Sequence, residues 1–273
     1  MNHIELRDRR TIPQLGLGTW QLTGEPCAGS VAAAIGMGYR HIDTAFAYAN
    51  HSHVAKGIAQ AGVPRDELFI TTKIPLGKQS RSQVLELGSA LRKELQTDYV
   101  DLLLIHWPNK DVPFEETFGA MQELMDRGVT RSVGISNFSP ELAKRADEMS
   151  PAPIVTNQVE FHPLLNQRHL LETCRALDIR VTAYCPLARG EALCDERLVE
   201  IGRAHDASAA QVSIAWLLAK GLIVIPKASS REHLSANLAA TELRLTAEEI
   251  ERIDSFGEHR RLVDGPWKHF PLE

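Results

Sequence analysis

The sequence predicts an α/β fold: a (β/α)8 TIM barrel, with an N-terminal β-hairpin in front and an irregular C-terminal tail behind. Three observations carry this. Eight short apolar runs, rich in β-branched residues, punctuate nearly all of the 273 residues, and such runs read as strands buried on both faces. An amphipathic, helix-forming stretch lies between most successive runs, which makes the strands parallel with helical crossovers. Eight such units in about 250 residues is the arithmetic of a closed barrel. The rival, an open doubly wound sheet, needs a third glycine and an immediate helix after Gly16-Leu17-Gly18. Thr19, Trp20 and Gln21 supply neither.

The elements follow in order. Residues 4–6 and 10–12 flank Asp8-Arg9 and read as a small hairpin closing the barrel floor. The first barrel strand covers 15–19, followed by an alanine-rich helix over 27–37 that stops at Gly38. The second strand is 41–44, and the stretch from His51 reads as a helix start. The third strand is 69–74; the helix over 82–95 carries Val84, Leu87, Leu91 and Leu95 at spacings of three and four. The fourth strand, 100–105, leads through Pro113 into a helix over 114–125 that ends before Gly128. The fifth, 132–135, precedes Ser139-Pro140, an N-cap followed by a first-turn proline, and a helix to 149. Strand 154–159 and helix 167–177 come next, then strand 180–183, an additional helix over 197–204 and another over 211–220. Strand 222–225 and helix 231–240 complete the set. The tail after Phe256 has no periodicity and contains Trp267. No linker, low-complexity segment or residue-level repeat divides the chain, so residues 1–273 read as a single barrel domain.

Composition excludes several function classes. With 30 Lys+Arg against 35 Asp+Glu the net charge is -5, so no basic face for nucleic acid is expected. No apolar run approaches the roughly 20 residues that span a bilayer, so no membrane partner is expected. The charged N-terminus has no apolar signal-peptide core. Cys27, Cys174, Cys185 and Cys194 form no C-x-x-C pair, and reduced thiols point to a cytoplasmic protein.

In a barrel of this kind, reactive side chains sit at the C-terminal ends of strands and in the loops beyond them. Asp43 ends the second strand, Tyr48 lies in the following loop, Lys73 ends the third strand and His106 the fourth. A lone Asp or Lys at a strand end is ordinarily a solvated rim residue. A lone His after an apolar strand is more often structural than catalytic. Adjacent barrel strands, however, bring their upper ends together. A phenol with a pKa of about 10 gives up its proton more easily beside an ammonium. A buried lysine needs a partner such as Asp43, and an imidazole can orient a carbonyl oxygen or share the proton transfer. The group polarises and protonates a carbonyl, and a reduction would take its electrons from a nicotinamide cofactor.

The sequence resembles the aldo-keto reductases over essentially its whole length. The resemblance rests on Leu17-Gly18-Thr19-Trp20, Gly38-Tyr39-Arg40-His41-Ile42-Asp43-Thr44-Ala45, Tyr48, Thr72-Lys73 and Ile105-His106-Trp107-Pro108, followed by Val133-Gly134-Ile135-Ser136-Asn137-Phe138, Asn157-Gln158-Val159-Glu160 and Ile225-Pro226-Lys227. Each motif is weak alone; their joint order and spacing is specific. The compact loop after Trp107 and Tyr184-Cys185-Pro186-Leu187 resemble the bacterial branch that includes 2,5-diketo-D-gluconate reductases. The resemblance implies NAD(P)H-dependent reduction of aldehydes or ketones, with A-face hydride transfer. It implies Tyr48 as general acid, Asp43 and Lys73 as its tuning pair, and His106 as the residue that orients the carbonyl. It implies that Ser136, Asn137 and Gln158 hold the carboxamide, that Tyr184 stacks on the nicotinamide, that Gly18, Thr19 and Trp20 line the same region, and that Leu187 lies at the pyrophosphate. Lys227, Ser229, His233 and Asn237 fall at the adenine end, and Trp20, Trp107 and Trp267, with His106, are the expected substrate walls.

The sequence departs from the family pattern in places. Ala228 replaces a serine and His233 stands where an arginine is usual, so NADPH is the expected cofactor, with NADH also accepted. Asn50-His51 replaces Asn-Glu, and Ile74-Pro75 replaces Leu-Trp, removing one aromatic pocket wall. A monomer acting on a small-molecule carbonyl compound is expected. Two other classes compete. One is a Schiff-base aldolase using Lys73, which an ion pair with Asp43 opposes. The other is a non-catalytic nicotinamide-binding regulatory protein, which the intact quartet opposes. His51-x-His53 invites a metal reading, but residues two apart diverge on a helix, and no metal is expected.

Overall fold

The structure is a computed structural model that describes residues 2–263; Trp267 and the end of the tail lie outside the described residues. Strands β1 (His3–Glu5) and β2 (Thr11–Pro13) form the expected antiparallel hairpin. The barrel follows as β3 (Leu17–Gly18), α1 (Gly24–Gly36), β4 (His41–Asp43), α2 (His51–Ala61), β5 (Phe69–Ile74), α3 (Arg81–Leu95), β6 (Val100–Ile105) and α4 (Phe114–Asp126). It continues as β7 (Thr130–Ser136), α5 (Pro140–Met149), β8 (Ile154–Glu160), α6 (Arg168–Ala176), β9 (Arg180–Tyr184), α7 (Glu196–Ala204), α8 (Ala209–Ala219), β10 (Ile223–Val224), α9 (Arg231–Ala239) and α10 (Ala247–Asp254).

Eight parallel strands run in the order β3 to β10. The ring closes through parallel bridges from Leu15 to Val224 and from Gly18 to Lys227, with the Gly16 amide donating to the Val224 carbonyl at 2.9 Å. Gly18 is required at this seam, because a Cβ there would lie 2.7 Å from the Ile225 carbonyl oxygen. The first and last barrel strands are shorter than the apolar runs suggested, and the seam between them is made of isolated bridges.

Two apolar clusters build the barrel. The larger joins the outward faces of the strands to the helices. The smaller joins Leu6 and Ile12 of the hairpin to Phe69, Leu102, Leu104, Val155 and Ile223, so the hairpin plugs the floor. Alternation then sets what lies above it. On β4, His41 and Asp43 face the same way, and His41 Nε2 meets Thr71 Oγ1 at 3.1 Å. Thr71 is followed two residues later by Lys73, and Leu104 by His106. The polar quartet is therefore the uppermost layer of a filled barrel.

Two helices were underestimated from sequence. The helix α2 runs for eleven residues with small side chains on its buried face. It packs so closely on α1 that a Cβ on Gly57 would meet Ala28 O at 2.5 Å and Val31 Cβ at 2.7 Å, which leaves no room for the large apolar residues that reveal a helix. The helix α10 buries Ile253, packs Ile250 beside it on the core, and starts at a Thr246/Glu249 capping box.

Burial also makes stability depend on pH. His41 is pushed down to about 3 by burial and then by the Lys73 charge, and His106 likewise to about 3. An unfolded histidine titrates near 6.5. Between about pH 6.5 and 3 the unfolded chain binds protons that the folded chain refuses, so stability falls as pH falls, by about 1.4 kcal/mol per unit for each group. Urea unfolding of His41→Gln between pH 6.5 and 5 is expected to show a slope shallower by that amount. An unchanged slope contradicts this assignment.

Candidate active site

Four elements deliver the quartet. The strand β4 ends in Asp43. A 3-10 turn over Phe46–Tyr48 carries Tyr48 and ends in a left-handed Ala49 (φ 51°) that redirects the chain into α2. Asn50 fixes this loop: its side-chain amide donates to the carbonyls of Thr19 at 3.0 Å and Leu22 at 2.9 Å, and its oxygen accepts from Thr44 Oγ1 at 2.7 Å. In the sequence Asn50 carries no signal beyond its place in Asn50-His51. Lys73 stands on β5, and the His106 amide continues the β5–β6 ladder to Ile74 O at 3.0 Å.

The lysine is the hub. Lys73 Nζ, fully buried, donates to Asp43 Oδ1 at 2.5 Å, Thr44 O at 2.8 Å and Tyr48 Oη at 3.4 Å. Gln158 Nε2 donates to the second Asp43 oxygen at 2.7 Å. Three acceptors around Nζ and two donors on Asp43 describe an ammonium–carboxylate pair. Burial pushes the lysine down and the aspartate up, and each is opposed by its partner. With all three protons engaged, Lys73 offers no lone pair for imine formation, which disfavours the aldolase reading.

One electrostatic expectation is corrected. The ammonium was expected to lower the Tyr48 pKa, but burial and then the Asp43 charge push it well above the usual phenol range. The cause is the desolvated cradle itself. His106 meets the Tyr48 ring edge-on with centroids 5.7 Å apart, and its depressed pKa leaves it neutral.

Asp43, Tyr48 and His106, with Lys73 buried behind them, border a cavity of about 490 Å³, within the range of small-molecule sites. Asp43, Tyr48, His106, Ser136, Asn137, Gln158 and Tyr184 all line it, as do Gly18, Trp20, Trp107 and Lys227. Tyr184 Oη donates to Asn137 Oδ1 at 2.8 Å, Asn137 Nδ2 to His106 O at 2.9 Å, and Ser136 Oγ to Gln158 O at 2.7 Å. Asn137 holds φ 63°, a left-handed position that asparagine tolerates. This wall of amide, hydroxyl and phenol groups fits a flat carboxamide-bearing ring.

Thr19 and Leu187 are not among the residues that line this cavity. Thr19 is buried, and its amide and Oγ1 both donate to Asp43 O, at 3.0 and 2.9 Å. It braces β4 instead of facing the cavity. Leu187 packs against the main core; the neighbour that reaches the cavity is Arg189, stacked over Trp20 at 5.2 Å. Ser229, His233 and Asn237 also lie outside the cavity. Ser229, just before α9, and His233, in its first turn, are exposed, and Asn237, near its end, is buried; the Ser230 hydroxyl accepts from His233 N. A helix N-terminus beside Lys227 favours an anion.

Pro75 and Leu76 occupy the place of the missing aromatic wall. Leu262 and Val263 of the tail also line the cavity, and an aperiodic tail carried no signal for them. Both ring nitrogens of His51 are taken, by Glu94 Oε2 and Thr72 Oγ1 at 2.9 Å each, so neither is left for a metal ion.

Comparison with known proteins gives the same picture. The sequence model described as the aldo/keto reductase family matches residues 14–258. Methylglyoxal reductase DkgB of Salmonella typhimurium is 41% identical over 256 residues, 93% of this chain and 96% of its own length. The 9,11-endoperoxide prostaglandin H2 reductase of Trypanosoma cruzi is 38% identical over 274 residues, 99% of this chain and 96% of its own. Among solved structures, a putative 2,5-diketo-D-gluconic acid reductase B superimposes with TM-score 0.91 at 37% identity, covering 93% and 92% of the two chains. A Bombyx mori aldo-keto reductase in complex with NADP gives TM-score 0.92 at 34% identity, covering 99% and 98%.

Proposed function

The chain belongs to the aldo/keto reductase family, a family of nicotinamide-dependent carbonyl reductases, and from that membership we propose how its residues divide the work. The observation that carries the reading is the position of Lys73 Nζ, shared between Asp43 Oδ1 and Tyr48 Oη beneath a cavity that His106 also lines. NADPH, when bound, supplies the hydride that no side chain can provide.

Tyr48 is the proton donor. Its raised pKa keeps the phenol protonated until negative charge develops on the substrate oxygen, and the Lys73 ammonium stabilises the phenolate left behind. Asp43 keeps that ammonium charged, and Gln158 steadies Asp43. His106, neutral at pH 7, offers an N–H that orients the carbonyl oxygen rather than acting as the acid. Ser136, Asn137 and Gln158 hold the carboxamide, Tyr184 stacks on the nicotinamide, and Gly18 and Trp20 border the same region.

The cofactor preference is for NADPH with NADH accepted. Lys227 and the start of α9 give the 2′-phosphate a fixed charge and free amides, with Ser229 and Asn237 nearby. His233 is a weaker partner than a guanidinium. The cavity and its apolar walls suit aldehydes and keto-aldehydes of modest size, methylglyoxal among them, and we read the enzyme as a cytoplasmic monomer. Initial rates over a panel of aldehydes, α-keto esters and keto-sugars, run with both cofactors, test this. The NADPH/NADH ratio of kcat/KM is expected to be well under about a thousandfold. In His233→Arg it is expected to rise by roughly ten- to a hundredfold, the worth of one charge-assisted hydrogen bond. A wild-type ratio above that thousandfold contradicts the relaxed preference.

A further inference from the structure

Glu160 closes β8, one strand away from Tyr184, and its side chain is completely buried. Its carboxylate collects three partners. His162 Nε2 lies 3.0 Å from Oε1, the Leu262 amide donates to Oε1 at 2.7 Å, and the Val263 amide donates to Oε2 at 2.8 Å. Burial raises its pKa, but the bonds from His162 and the two amides outweigh that and hold the group below the usual carboxylate range. It is an ionised carboxylate whose two main-chain donors come from the tail.

The preceding tail residues are tied down differently. His259 bridges to Leu165, the Arg260 amide donates to Leu164 O at 2.9 Å, and Arg261 donates to Gln167 Oε1 at 3.2 Å. Gln167 in turn donates to the main-chain oxygen of Glu160 at 2.6 Å. These bonds lay residues 259–261 along the loop after β8. Among the described residues, the Glu160 carboxylate is what holds the main chain at 262 and 263, and both residues line the cavity.

We propose that Glu160 is a positioning residue for substrate selectivity: it holds the main chain at 262 and 263, the end of a strap that begins at 259, and thereby fixes the wall that Leu262 and Val263 present to the carbonyl compound. The inference rests on the reading that this cavity is where the carbonyl is reduced. A carboxylate suits the task because both of its oxygens accept. In Glu160→Gln one acceptor becomes an amide donor facing another N–H, and the strap loses a tie at little change in size. Released, Leu262 and Val263 stop defining the cavity edge, and discrimination between small and bulky aldehydes changes.

The test uses two variants of the full chain. In Glu160→Gln, trypsin cleavage after Arg260 or Arg261 is expected to quicken by about tenfold, as local opening becomes easier. The ratio of kcat/KM for a bulky aromatic aldehyde to that for propanal is expected to shift by about fivefold or more. Val263→Pro removes one donor without touching the buried carboxylate, so it carries the test if Glu160→Gln does not fold. It should shift both readouts the same way. The double variant should show less than the product of the single effects, since both break one contact. Cleavage and selectivity within about twofold of wild type in a folded variant, or fully multiplicative effects, overturn the proposal. Wild-type turnover in Tyr48→Phe overturns both this inference and the site reading beneath it. A Tyr48-dependent enzyme with an unchanged selectivity ratio overturns only the role of Glu160.

Discussion

Tyr48→Phe is expected to lower kcat by roughly a thousandfold, in the middle of the range for a positioned general acid, while NADPH binding by fluorescence titration stays near wild type. The substitution removes one oxygen. The ring still meets His106, and the Asp43–Lys73 pair keeps its bonds to Thr44 O and Gln158. What disappears is the proton aimed into the cavity and the phenolate that Lys73 would stabilise. Because the loss acts on the transition state, kcat and kcat/KM should fall together. A rise in KM with kcat preserved would show that Tyr48 only binds substrate, and a kcat near wild type would remove it from the chemistry.

Lys73→Met is expected to damage both chemistry and fold. An ammonium 3.4 Å from the phenol oxygen stabilises a phenolate by about 5 kcal/mol at an effective dielectric near 20, and losing that slows turnover by roughly a few thousandfold. The same change leaves the buried Asp43 carboxylate without its counter-ion. Breaking a buried pair from one side costs about 3–5 kcal/mol, and in a protein of this size that lowers the melting temperature by roughly 10 °C. The double variant Asp43→Asn/Lys73→Met removes the stranded charge and is expected to recover more than half of the lost stability. Activity should stay as low as in the single variant. Calorimetry of the three proteins decides: a Lys73→Met melting temperature equal to wild type would mean that the pair is solvated and not the dry cradle described above.

The quartet was legible because barrel geometry is simple. Adjacent parallel strands end side by side, so Asp43, Lys73 and His106 had to converge once the eight strands were counted. The floor hairpin was legible for a related reason, since Leu6 and Ile12 flank a short polar turn. What could not be read were properties set by enclosure. The direction of the Tyr48 pKa depends on how dry the cavity base is, and Leu262 and Val263 lie in a tail without periodicity. Thr19 and Leu187 illustrate a different limit. A motif position says which loop a residue belongs to but not whether its side chain turns toward the cavity or the core. Glu160 shows the same limit from the other side: it sits inside a recognised motif, yet its two main-chain donors lie 102 and 103 residues away, and no local pattern announces them.

The central claim is that this chain reduces carbonyl compounds with its own Tyr48–Lys73–Asp43–His106 cluster. The most direct measurement follows NADPH absorbance with the unmodified protein and an aldehyde panel, with product alcohol quantified and NADPH binding titrated in parallel. The expected result is steady turnover with one alcohol formed per NADPH consumed. Stoichiometric NADPH binding with no alcohol from any aldehyde would contradict it and leave a nicotinamide-binding protein that performs no reduction.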